Sequence, residues 1–147
     1  MKNPSAVDKR EVQVHVVTDI RDGQRKETNS FKASGHLHEK DGVMYLTYEE
    51  KLEDGNVSTI VKVKPDEVIL MRSGLFKMRQ VFRKQEQVEG SYASPYGPLQ
   101  MSTLTYNIEN KKMNTKGRLF LSYDLYLQGE KAGRYALTIT FKEEQHS

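Results

Sequence analysis

The chain contains no cysteine, no tryptophan and only 4 prolines among its 147 residues, and none of its apolar runs approaches membrane length. Without cysteine there is no disulfide framework, no thiolate metal site and no thiol nucleophile, and a reducing cytoplasm is the expected compartment. The missing apolar run excludes a transmembrane helix. The opening stretch from Met1 to Arg10 is polar and lacks an apolar h-region, so no signal peptide is expected. Charge of one sign is also scarce: 23 basic residues stand against 20 acidic ones, net +3 with a pI near 9.0, interleaved along the sequence. That pattern suits a solvated surface, and neither nucleic acid nor a membrane is an expected partner.

What the sequence does have is alternation. Across residues 11–141 apolar and polar residues exchange with a period of two, and Gly, Asp, Asn or Pro pairs interrupt them at strand-length intervals. No stretch carries a helical period, and no repeat or low-complexity linker marks a boundary, so residues 1–147 read as one β domain.

Antiparallel pairing across a turn fixes which residues face each other, so the alternation can be tested for consistency. A turn at Asp22-Gly23, with Arg21 facing Gln24, sets Val14 against Phe31 and Val12 against Ala33. One at Asp41-Gly42 sets Leu37 against Leu46 and Gly35 against Tyr48, where the missing side chain leaves room for the ring. A turn at Asp54-Gly55 sets Leu52 against Val57, Tyr48 against Val61 and Leu46 against Val63, and one at Pro65-Asp66 sets Val63 against Val68 and Val61 against Leu70. All four turns give the same inward face. At Ser73-Gly74 a two-residue loop would turn Leu75, Lys77, Arg79 and Val81 inward, whereas a three-residue loop turns Phe76, Met78, Gln80 and Phe82 inward; burial of the apolar set favours the second.

Later strands are read over residues 88–94, 99–108, 119–127 and 135–141, with residues 109–117 as the longest loop and residues 1–9 and 143–147 as frayed ends. About ten short strands with one apolar face each need to hide their edges. Unbroken hairpin connections favour an all-β, antiparallel up-and-down barrel of about 8–10 strands over a two-sheet sandwich, which in the immunoglobulin form would also bury a tryptophan.

Several segments strengthen that reading: Ile60-Val61-Lys62-Val63, Met71-Arg72-Ser73-Gly74 followed by Met78 and Phe82, Tyr92, Ser94-Pro95-Tyr96-Gly97-Pro98-Leu99, and Gly117 leading to Ser122-Tyr123-Asp124-Leu125. In these segments the chain resembles the YwiB-like family of small bacterial proteins, a group of unknown function. Ser94 stands where the family usually has Thr and keeps the hydroxyl. The resemblance implies a calycin-like (lipocalin-like) β-barrel in a Gram-positive cytoplasm, and it implies no activity.

Parity also places charge inside the barrel. Glu50 opposite Thr59, and Thr59 opposite Arg72, all face inward on three neighbouring strands, which puts Glu50 and Arg72 about 10 Å apart at the backbone, within reach of each other's side chains. Burying such a pair is costly unless it sits near a mouth. Either it is an ion pair rimming one end, or Arg72 holds an anionic ligand in a cavity lined by Tyr48, Gln80, Tyr92 and Tyr123.

Other candidates are weaker. Tyr96-Gly97-Pro98 describes a rigid turn first and a binding loop second. His36 and His38 share an outward face, but His36 falls near Lys9 in register, far from His15, so no metal site is expected. No Ser/His/Asp grouping, P-loop or dinucleotide fingerprint occurs, so no cofactor is expected, and acid/base catalysis by Glu50 lacks support.

The leading expectation is a binding barrel for a small, anionic ligand. The alternative, from another class, is a protein-interaction or homodimerisation module with a filled core. It would use outward Phe120 and Tyr126, joined by Leu104 and Tyr106 if Leu99 and Met101 face inward.

Overall fold

A computed structural model describes residues 9–144. Every element in it is a strand: β1 (Arg10–Asp22), β2 (Arg25–Lys40), β3 (Val43–Leu52), β4 (Gly55–Val63), β5 (Val68–Gly74), β6 (Lys77–Phe82), β7 (Gln87–Ser94), β8 (Gly97–Met113), β9 (Lys116–Leu127) and β10 (Glu130–Glu143). Each pairs antiparallel with the next, and β10 returns to β1, closing a ten-strand up-and-down barrel. Closure removes the sheet edges that the alternation left to be hidden.

The inward faces agree with the period-two reading. Val12, Val14, Val16, Leu37, Leu46, Val61, Leu70, Phe82, Leu121 and Ile139 form a continuous core with almost no exposure. The turns at Asp41-Gly42 and Pro65-Asp66 have the expected register, and β6 presents Met78, Gln80 and Phe82 inward opposite Arg72, Leu70 and Val68.

Two turns differ from expectation by one position each, which slides the pairing by two residues and leaves every face unchanged. The first is Gly23-Gln24, not Asp22-Gly23, so Val14 faces Ala33 and Val16 faces Phe31. Gly23 takes the left-handed conformation there, and the added pair Asp22 opposite Arg25 joins opposite charges. The second is Glu53-Asp54, not Asp54-Gly55. Here Gly55 opens β4 at φ +145°, a backbone conformation that favours glycine, so the glycine serves the start of the strand and not the turn. Tyr48 therefore faces Thr59, Leu46 faces Val61, and Leu52 faces Gly55.

Residues 109–117 are not a loop. β8 and β9 run on as a long hairpin with paired residues out to Met113 and Lys116. A bulge between Thr105 and Asn107 reverses the parity of β8, so Ile108 points inward beyond it. The segment reads as a loop because it is polar on both faces where the hairpin runs on past the apolar core. Residues 143 and 144 are not frayed either, since Glu143 pairs with Val12 and Glu144 N donates to Glu11 O; the expectations for residues 1–8 and 145–147 lie outside the described residues.

Up-and-down order puts the β1–β2, β3–β4, β5–β6, β7–β8 and β9–β10 turns at one end, here called the mouth, and the remaining turns at the other. The far end is closed by charge. Inward Arg10 contacts Glu39 at 3.3 Å and Glu143 at 3.4 Å, and Lys112 from β8 reaches Glu39 at 2.6 Å.

Candidate functional site

At the mouth the inward layer turns polar. Arg72 Nη2 on β5 donates to Glu50 Oε1 on β3 at 3.1 Å, and both side chains are partly exposed, 28% and 19%. The slide in the β3–β4 turn means that Glu50 lies opposite Val57, not Thr59. Arg72, opposite Thr59, reaches up one step to meet the carboxylate. Its guanidinium also lies 4.9 Å from the centre of the Phe76 ring, which stacks on Tyr92 at 5.8 Å. Phe76 and Tyr92 thus hold one side of the arginine while Glu50 holds the other.

Below this pair the wall carries hydroxyls. Tyr48 and Thr59 face each other, both buried; Thr59 Oγ1 nevertheless makes no hydrogen bond of good geometry, although the Tyr48 phenol is its polar neighbour. Burial pushes the Tyr48 hydroxyl up to about 12, against the opposing charge of Arg72, and burial likewise raises that of Tyr123. Both phenols are neutral hydrogen-bond donors at physiological pH. Gln80 Nε2 donates to Thr103 Oγ1 at 2.9 Å, whereas Thr105, beside Tyr123 in register, is a second buried hydroxyl without a partner.

The wall is split beside this layer. β2 and β3 pair only as far as Gly35 and Tyr48, although β2 starts at Arg25 and β3 continues to Leu52. Between the separated ends lies a cavity of about 640 Å³ whose lining includes Phe31, Ala33, Glu50 and Leu52. Glu50 therefore belongs both to the ion pair and to this lateral opening.

All of Tyr48, Glu50, Thr59, Arg72, Gln80, Tyr92 and Tyr123 face inward, and they divide by depth. Glu50, Arg72 and Tyr92 are at the mouth; Tyr48, Thr59, Gln80 and Tyr123 are buried under it. Sequence reasoning missed Thr103 and Thr105, which share the inward face of Met101 on β8 and could have been found from that parity. The β2–β3 split carries no local signal beyond Gly35.

Elsewhere the Pro95-Tyr96 turn is braced by Ser94, whose Oγ accepts from Tyr96 N at 3.1 Å and donates to Gly97 O at 2.8 Å; Tyr96 itself is 99% exposed. His38 stacks on Tyr45 at 4.7 Å, and His36 faces Glu11 and not Lys9. Among the described residues no group of three or more His, Cys, Asp or Glu is arranged to hold a metal. Leu104, Tyr106, Phe120 and Tyr126 do point outward but are half-buried, and Tyr106 donates to Asp124.

Asp124 anchors the outer layer at the β8 bulge. Burial alone pushes its carboxyl up, but hydrogen bonds from Arg134 and Tyr106, with the charges of Arg134 and Lys131, outweigh this and hold it below its ordinary 3.8. Hydrogen bonds from Arg83 and Lys112 likewise lower Glu67 and Glu39. A carboxylate with a depressed folded-state value contributes stability that is present above its unfolded value and lost as pH falls through the folded one. Melting temperature is therefore expected to fall as the pH drops below about 4.5, the ordinary value of Glu67 and Glu39. Asp124→Asn should melt lower at pH 7 and show a shallower acid slope, a comparison that a pH series of thermal melts checks directly.

Residues 14–139 match a family described as a domain of unknown function, DUF1934. The chain belongs to this family. Within it, the chain is 33% identical over 136 residues to the uncharacterized β-barrel protein YwiB of Bacillus subtilis (strain 168), covering 92% of this chain and 96% of that protein. The crystal structure of YwiB superimposes with a TM-score of 0.86 at 32% identity, covering 95% of this chain and 96% of that one. The barrel fold is thus shared with a relative solved by crystallography, and neither that relative nor the family is described with an activity.

Proposed function

We propose that this protein is a cytoplasmic binding barrel, used in the manner of lipocalin-type barrels, that takes a small anionic ligand at its mouth. The observation that carries this reading is Thr59. Its hydroxyl is buried on the inner wall, has the Tyr48 phenol as its polar neighbour without a hydrogen bond of good geometry, and lies opposite the accessible Arg72 in register. A buried hydroxyl so poorly satisfied costs up to about 1–3 kcal/mol, which a ligand's polar group would offset. Arg72 supplies the anion contact, held in place by Glu50 and Phe76. Tyr48 donates from below, and the gap between β2 and β3 is the side entrance. The absence of cysteine supports the cytoplasmic assignment.

Thermal shifts across a panel of small carboxylates and phosphate esters test the proposal. A ligand at a hundred times its Kd adds about 2.7 kcal/mol, or about 5–10 °C for a chain of this size. Arg72→Met should abolish the shift, whereas Tyr96→Ala, on an exposed turn, should retain it. A shift that survives in Arg72→Met, or a panel with no shift in the wild type, overturns the reading.

A further inference from the structure

The outer face of β2, β1, β10, β9 and β8 carries a groove of about 640 Å³ toward the far end, which shares only Lys32 with the cavity between β2 and β3. Its lining follows from the pairing. Lys32, His15, Thr140, Arg118 and Lys111 form one continuous row across the five strands, each opposite the next. Gln13, Lys142, Lys116 and Met113 form a second row, two residues along each strand. The remaining lining residues, Val14, Phe141 and Gly117, belong to the inward-facing set, so the floor between the rows is backbone.

The charged residues that line the groove have one sign, although the Glu109 carboxylate lies opposite Phe120 in register and Glu144 accepts from Gln13 at the groove's edge. Lys32, Lys111, Lys116, Arg118 and Lys142 line the groove, no acidic residue lines it, and among the described residues none of the five makes an ion pair. Single cations elsewhere, such as Lys51, Lys77 and Arg79, also lack ion pairs among the described residues, so what marks the groove is that five of them share one lining. Five uncompensated cations in one groove repel one another, and the arrangement becomes favourable when an anion lies among them. An aromatic ring adjoins the row: Arg118 lies 5.3 Å from the centre of outward Phe120.

We propose that this groove binds single-stranded nucleic acid, with the lysines and Arg118 on the phosphates and Phe120 as a stacking surface for one base. A track crossing five strands is about 19 Å long, enough for the roughly four nucleotides of the smallest single-strand sites. Its length distinguishes it from a site for one phosphate, and the ring beside the cations distinguishes it from a groove for an acidic peptide. A duplex is too wide and rigid to settle onto the floor between the rows. The site is independent of the ligand proposed for the mouth, and neither stands or falls with the other.

Fluorescence anisotropy with labelled U12 and dT12 tests it, using the full chain at 25–200 mM salt. The triple variant Lys116→Gln, Arg118→Gln, Lys142→Gln alters exposed side chains only. It should weaken binding at least tenfold and reduce the slope of log K against log salt by about 2, at about 0.7 per lost contact. Phe120→Ala should weaken binding by about fivefold or more while leaving the salt slope unchanged. Thermal melts establish that both variants fold. No binding of either oligonucleotide at 25 mM salt, undiminished binding by the triple variant, equal affinity for a duplex of the same length, or capture by anionic phosphatidylserine vesicles without oligonucleotide binding would each overturn the proposal.

Discussion

Phe82→Ala is expected to destabilise the barrel by about 3–5 kcal/mol, read as a lowered urea midpoint. Phe82 is fully buried at the end of β6, opposite Val68, and its ring meets Tyr123 edge-on with centres 4.9 Å apart. Truncation removes the transfer free energy of the ring and leaves a cavity that the barrel wall fills poorly, because the β5–β6 ladder holds the backbone in place out to Val68 and Phe82. The edge contact with Tyr123 is lost as well, a further 0.5–1.5 kcal/mol at most by the usual magnitude of aromatic pairs, roughly. Against a total stability of about 5–15 kcal/mol, the variant should lie near the threshold of folding. Phe82→Leu, which refills most of the space, should recover more than half of the loss. A midpoint for Phe82→Ala within the error of wild type would show that the ring is not central to the core.

Gly35→Val is expected to be nearly as damaging, for the opposite reason. A Cβ on Gly35 would lie 2.3 Å from the carbonyl oxygen of Thr47, 3.1 Å from Val14 Cγ2 and 3.2 Å from Tyr48 Cβ. The first of these is backbone and cannot swing aside. Overpacking usually costs about 1–3 kcal/mol, and a clash with a strand carbonyl belongs at the upper end. The sequence reading explains this glycine by room for the Tyr48 ring, whereas the structure gives the closer reason that the Thr47 carbonyl lies where a Cβ would sit, at the last β2–β3 pair before the strands separate. Denaturant unfolding measures the loss, and amide exchange should show Leu37 and Leu46, the next pair along, exchanging faster. Ser34→Ala, one residue away on the exposed face, should change stability by less than about 0.5 kcal/mol.

These two positions also mark how much was legible in the residues. Phe82 faces inward by parity alone once the β5–β6 loop is given an odd length, and Gly35 stands opposite Tyr48 by turn counting from Asp41-Gly42. Both follow from the strict two-residue period of a strand. The same period hides other features. Moving a turn by one position slides the register by two and returns every side chain to its own face, so the shifts at Gly23-Gln24 and Glu53-Asp54 could not be detected from the apolar pattern. The second of them decides that Thr59 faces Tyr48 and that Arg72 must reach past it to Glu50. The β8 bulge is hidden differently. One extra residue between Thr105 and Asn107 reverses the alternation, so Ile108 faces inward where fixed parity puts it outward; residues 109–117 are obscured separately, by being polar on both faces.

The sequence by itself determined that the chain is one antiparallel barrel, which residues form most of its core, and that Glu50, Thr59 and Arg72 face inward; it placed those three at one level, whereas the β3–β4 register sets Thr59 below Glu50. Those outcomes depend on local alternation and on hairpin turns, whose geometry is written in neighbouring residues. Tertiary structure alone decided where β2 parts from β3, which hydroxyls are left unpartnered, and that Arg10, Glu39, Lys112 and Glu143 close the far end. It alone brought Lys32 beside a groove shared with Lys111, Lys116, Arg118 and Lys142. Along the chain these cations are diluted by acidic neighbours and the net charge is small; across the sheet, closure of β1 on β10 sets them side by side, because strand neighbours in space are separated by the length of the intervening hairpins.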